Sequence, residues 1–172
     1  MSRHTGPVLV DTNVILACWR LGAWKALVGG YQVETVEDCV TETQTGFQRR
    51  RTEENISELE LSVTLKGRVH AVSDAERARV AVHSMDLAVD HGELSLWAHA
   101  VSREDRWVLC GPDKASLRLG IRLGFRERLI SLEQLFSDAG YRPKSPLPQA
   151  FTAAWHRSTV EALAMAERSE RR

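Results

Sequence analysis

The sequence predicts an α/β protein built on a central parallel sheet, and three observations carry that prediction. The first is a short apolar run, Pro7-Val8-Leu9-Val10, which stops on Asp11 and passes directly into a helical pattern at Thr12-Asn13-Val14-Ile15-Leu16. A β-branched run of that length leading straight into a helix reads as a buried parallel strand. The second is the succession strand, helix, strand between Pro7 and Val36, the start of a βαβ unit. The third is a repeat of the first: Trp107-Val108-Leu109-Cys110 passes through Gly111-Pro112-Asp113-Lys114 into a helical run from Ala115 to Leu123.

The remaining elements follow in chain order. Val14, Ile15, Leu16, Trp19, Trp24, Leu27 and Val28 fit one amphipathic helix stopped by Gly29-Gly30. Tyr31 to Val36 alternates and is rich in β-formers, so it reads as the second strand. Glu37 opens the next helix, and Glu37 and Asp38 suit the positive end of its dipole. From Gln48 to Val72 the pattern is mixed and reads as a lid-like, partly helical segment. Its Arg49-Arg50-Arg51 run is either a solvated stretch or a set of phosphate contacts. Ser73 and Glu76 have capping-box spacing before a helix that carries Ala78, Val80, Val82, Met85, Leu87 and Val89. Asp90-His91-Gly92 breaks that helix and Glu93 to Val101 begins another. Leu129 to Leu132 is an edge strand, and Glu133 to Ala139 a closing helix ended by Gly140.

These elements give one domain over residues 1–140 and a tail over 141–172, in which a Pro-rich linker precedes a C-terminal helix. Phe151 and Trp155 lie on one side of that helix and are expected to anchor a second subunit or a partner. The 172 residues are enough for one domain with its own core, and 23 basic against 23 acidic residues leave no net charge to attract a polyanion. Any nucleic-acid contact must therefore use a local patch. Cys18, Cys39 and Cys110 stand in apolar contexts and read as buried free thiols, without a disulfide or zinc. His91 and His99 have no second ligand at a zinc spacing. The run after Met1 is too short for a signal peptide, and a cytoplasmic location is expected.

Four acids carry the chemistry: Asp11 and Asp113 at strand exits, Glu42 and Glu93 on helices near the same edge. Each has a bland role available, Asp11 and Asp113 as helix N-caps, Glu93 as a first-turn dipole acid and Glu42 as a solvated side chain. In a parallel sheet, however, such positions converge on one crevice. Two carboxylates ~4 Å apart repel by roughly 4 kcal/mol at an effective dielectric near 20. A hard divalent cation reverses the sign and can activate a water against a phosphodiester.

Val8-Leu9-Val10-Asp11-Thr12-Asn13, Val40-Thr41-Glu42, His91-Gly92-Glu93-Leu94-Ser95-Leu96-Trp97-Ala98 and Val108 to Lys114 resemble the ordered acidic motifs of PIN-domain nucleases, over about residues 7 to 136. In size and order the chain is similar to the VapC-like toxins of toxin–antitoxin pairs. The resemblance implies a PIN-like α/β/α sandwich and a Mg²⁺- or Mn²⁺-dependent endoribonuclease acting on RNA, with an antitoxin partner and a homodimer as expected assemblies. Asp11, Glu42, Glu93 and Asp113 become the metal-binding, catalytic quartet, Thr12 or Asn13 orients Asp11 or its water, and Arg49 and Arg50 help position substrate. One departure is Gly111, where the family's fourth motif often carries a hydroxyl residue. Two other readings stand beside this one: a non-catalytic PIN-like interaction module, and a receiver-like phosphotransfer domain, which the lack of an adjacent acid pair ahead of the strand-exit aspartate disfavours.

Overall fold

A computed structural model describes residues 3–45 and 56–170. Arg49 and Arg50 lie outside them. The chain opens with β1 (Pro7–Val10), α1 (Thr12–Arg20) and α2 (Trp24–Gly30), followed by β2 (Gln32–Val36) and α3 (Glu37–Gln44). The continuous apolar spacing that suggests one helix after β1 conceals a break. Gly22 takes a left-handed conformation (φ 63°) and the Ala23 N–H reaches back to Cys18 O at 2.8 Å, a glycine-dependent helix stop. The Gly29-Gly30 pair, read as the stop, instead lies in the last turn of α2.

Next come α4 (Glu58–Leu65), the two-residue β3 (Val69–His70), α5 (Asp74–Ala81) and α6 (His91–Val101). The expected breaker Asp90-His91-Gly92 is the start of α6: Asp90 is its N-cap, and Asp90 and Glu93 form a reciprocal capping box. β4 (Val108–Cys110), α7 (Lys114–Arg122), β5 (Leu129–Ile130), α8 (Leu132–Asp138) and α9 (Ala153–Glu170) complete the chain.

Among the described residues the sheet has five strands, all parallel, in the order β3-β2-β1-β4-β5. Strand alternation divides the core. Val8, Val10, Val33 and Cys110 face a layer built from α1, α2, α4 and α8, while Leu9, Val36 and Leu109 face α5, α6 and α7. The result is an α/β protein with helices on both faces of a parallel sheet, compatible with the expected sandwich. α6 is buried on most of its surface, Leu96, Trp97, Ala98 and Ala100 being almost inaccessible, because it lies between the sheet and α5 and α7.

The tail closes on its own chain. Phe151, expected to reach a partner, packs into the same core as Leu132, Leu135 and Phe136. α9 lies along α7, where Glu167, 6% exposed, accepts from Arg118 Nε at 2.5 Å and Arg122 Nη2 at 2.8 Å. Arg118 and Arg122, one turn apart on α7, supply the charge that lets a glutamate be buried there.

Gly120 on α7 is in contact with the Trp97 ring, and a Cβ at this position would overlap it. Gly120→Ala should therefore cost about 1–3 kcal/mol by overpacking, measured as a shift of the urea midpoint without a change of slope.

Candidate functional site

The strand order reverses between β1 and β4, so the crevice at their carboxyl ends is where an open α/β sheet offers a site. Asp11 leaves β1 there and Asp113 follows β4. α6 delivers Asp90 and Glu93 with its N-terminus, and α3 contributes Glu42 from its second turn. Asp90 is a member that the sequence motifs did not single out.

The capping roles are real, but each engages only part of a carboxylate. Asp11 Oδ1 accepts from Val14 N at 2.8 Å, and Asp113 Oδ1 accepts from Ala115 N at 2.7 Å and Ser116 N at 3.0 Å. Asp90 Oδ1 accepts from Glu93 N at 2.8 Å, and Glu93 Oε2 from Asp90 N at 3.1 Å. Asp11 is 2% exposed, and its Oδ2 is buried with no partner at hydrogen-bonding geometry. Gly111 lies against that oxygen: a Cβ there would stand 2.8 Å from it.

Glu42 accepts from Thr12 Oγ1 at 2.5 Å and from Gly92 N at 3.0 Å. Thr12 thus orients Glu42, and it is the Asn13 amide that lies toward Asp11. Gly92 is needed for this approach, because a Cβ would come within 2.5 Å of Glu42 Oε2.

Asp11, Asp90, Glu93 and Asp113 form no ion pair among the described residues, and their charges act on one another. Burial pushes the Asp11 carboxyl up to about 7, with the Asp90 and Asp113 charges adding to the effect and the Val14 N–H opposing it. Glu93, 4% exposed, is pushed up to about 8, first by burial and then by Asp113 and Asp90. The three cysteines are free and buried, as expected. Cys39, beneath the crevice, has its thiol raised by burial and then by Asp11.

A second cluster lies lower on the α6 side of the sheet, and the sequence did not reveal it. Glu34 of β2, His70 of β3 and His99 of α6 each place one ligand atom within 4.8 Å of the others and could hold a metal ion. As seated, a guanidinium supplies the positive charge. Arg103 Nη1 donates to Glu34 Oε2 at 2.6 Å and to His99 Nε2 at 2.9 Å, so that nitrogen of His99 is an acceptor and the ring is neutral. The His70 and His99 rings stack with centroids 4.2 Å apart at 16°. Near-parallel stacked rings cannot both direct a lone pair in plane at one ion, so a metal would need a ring to turn and Arg103 to leave. Burial would raise Glu34, yet donors from Gln32, Arg103 and His70 hold it below its ordinary value. Burial, with His70 and Arg103, lowers His99 to about 4.

No family model, curated protein or solved structure matches the chain. Among the described residues no helix is long and apolar enough to cross a membrane.

Two outcomes are expected from these groups. Asp11 and Glu93 bind protons more tightly folded than unfolded, so in EDTA their contribution to stability is fully present below about pH 4 and is lost as pH rises through 7 and 8. Glu34 and Glu167, held below their ordinary values, act in the opposite sense and lose their contribution in acid. Asp11→Asn keeps the cap on Val14 and removes one buried charge. It should raise stability at pH 8.5 by on the order of 2 kcal/mol and flatten the profile between pH 5 and 8.5, read by urea unfolding. Arg103→Ala should cost about 3 kcal/mol by leaving Glu34 buried without its cation, and zinc should restore part of that loss in the variant while leaving the wild type unmoved.

Proposed function

We propose that the crevice between β1 and β4 binds a divalent cation and hydrolyses RNA phosphodiesters, as a PIN-like, VapC-like endoribonuclease would. The observation that carries this reading is the buried, unpartnered Oδ2 of Asp11 within a group of acids in which burial and neighbouring carboxylates raise Asp11 and Glu93. A protein gains nothing in stability from such an arrangement, whereas a hard cation would relieve it.

Asp11, Glu93 and Asp113 would hold Mg²⁺ or Mn²⁺ through the oxygens that the caps leave over, with Asp90 and Glu42 at the margins. When bound, such an ion supplies Lewis acidity toward a phosphodiester and toward an attacking water. The chain's own groups do the rest. The α1, α6 and α7 caps fix each carboxylate by one oxygen and so limit where the remaining oxygens lie, and these would have to draw closer to share one ion. Glu42, gripped by Thr12 and the Gly92 N–H, is placed to orient the water or accept its proton. Cleavage on this plan leaves a 5′-phosphate and a 3′-hydroxyl. The toxin role, with an antitoxin and a homodimer as assemblies, comes from the motif resemblance alone.

The test joins titration of Mn²⁺ by calorimetry with cleavage of single-stranded RNA on the same samples. Wild type should bind and cleave, while Asp11→Asn should lose both, cleavage falling by roughly 100-fold or more. Gly92→Ala pushes on the flexible end of Glu42, so it should cut cleavage by roughly 10- to 100-fold with little change in melting temperature. Absence of metal binding in the wild type would return Asp11, Glu93 and Asp113 to their capping roles and Glu42 to a structural one.

A further inference from the structure

A cleft of about 870 Å³ opens at the opposite, amino-terminal edge of the sheet, between the strand entrances and α8 and α9. Thr5 precedes β1, Arg106 precedes β4, and Arg126 and Arg128 precede β5, while Arg157 comes from α9. With Arg3, five guanidinium groups line one concavity of a chain whose net charge is zero.

Two of them are fixed: Arg3 lies over the Tyr31 ring, and Arg128 lies over Trp107 while donating to Asp105 O and Trp107 O. The side chains of Arg106, Arg126 and Arg157 have no hydrogen bond or ion pair among the described residues. This contrasts with Arg77, Arg103, Arg118 and Arg122, each of which is paired with acids. His156, in the same wall, has a buried Nε2 without a partner. Glu127, Asp138 and Glu161 also line the cleft, and Asp138 is engaged by Gln134, so positive charge prevails.

We propose that this cleft is a binding site for the phosphates of a nucleotide or of an RNA strand, separate from the carboxylate crevice. Guanidinium forks match phosphate oxygens in pairs, and arginines that no described residue satisfies are the donors such oxygens need. The volume suits a ligand of nucleotide size. The site lies across the sheet from Asp11, the four-residue β1 alone placing about 13 Å between the two edges. Its occupancy therefore needs no divalent cation and does not depend on the nuclease reading.

The experiment is calorimetric titration in EDTA, so that no metal contributes, with ATP in one arm and a single-stranded RNA 12-mer in the other. Wild type should bind at least one probe, with affinity falling as salt rises. Arg106→Ala/Arg126→Ala/Arg157→Ala should weaken binding at least tenfold, whereas Arg79→Ala, on the exposed side of α5, should leave it unchanged. ATP binding would assign a nucleotide pocket, and binding of the 12-mer alone an RNA track. Because the three arginines have no partners among the described residues, the triple variant should melt with the wild type. Should it not, the corresponding lysine triple keeps the charge and must still weaken binding by loss of the forks. No binding of either probe by the wild type, or equal binding by wild type and variants, would overturn the proposal.

Discussion

The second oxygen of Asp11 is the constraint on which the carboxylate crevice depends. It is buried at the exit of the central strand, beside Gly111, where no described donor reaches it at hydrogen-bonding geometry. In a closed interior an unpaired carboxylate oxygen costs on the order of 1–3 kcal/mol, more if the group is ionised, so the site is tolerable only because helix N-termini surround it. The caps of α1, α6 and α7 each give an acid one or two N–H donors and the positive end of a helix dipole. The capping role and the chemical role are therefore not rivals. The caps hold the acids together against their repulsion and set which oxygens remain.

The same logic separates the crevice from the Glu34 cluster. Both bury carboxylate near other titratable groups, but Glu34 has Arg103 at 2.6 Å and its charge is answered within the chain. Its pKa falls while those of Asp11 and Glu93 rise. The sign of the shift thus distinguishes an acid whose charge the chain answers from one whose charge it leaves unanswered. The acids of the crevice are also farther apart than the 4.8 Å grouping of Glu34, His70 and His99. This is expected of like charges held on separate caps.

Much of the frame was legible in the sequence because strand and helix periods are local. β1, β2, β4 and their following helices come directly from apolar runs and the acids that end them. What escaped depended on contacts between distant segments or on a single dihedral angle. Gly22 splits the first helix while the apolar spacing runs on without a break. Asp90 reads as part of a breaker, yet the spacing from Asp90 to Glu93 is that of a capping box and could have identified it. Glu34, His70 and His99 meet only because β2, β3 and α6 do, and no spacing along the chain announces it. Arg118 and Arg122 meet Glu167 only because α9 lies along α7, and no spacing along the chain announces that either.

Gly92 and Gly111 give the crevice its shape by what they omit. At either position a methyl group would press on a carboxylate, Glu42 in one case and Asp11 in the other. The two differ in consequence. The Gly92 backbone N–H donates to the acid it faces, so that glycine permits an approach and then rewards it. Gly111 only leaves room: the hydroxyl often found at this place in the motif it resembles would have to share the space now held by Asp11 Oδ2, and with glycine that oxygen keeps its lone pairs unshared. An acid that is buried, fixed by one oxygen and left without a described donor for the other is eased by a proton, and would be eased by a cation. With its pKa near neutrality, a cation proposed for this site would have to compete with protons for it.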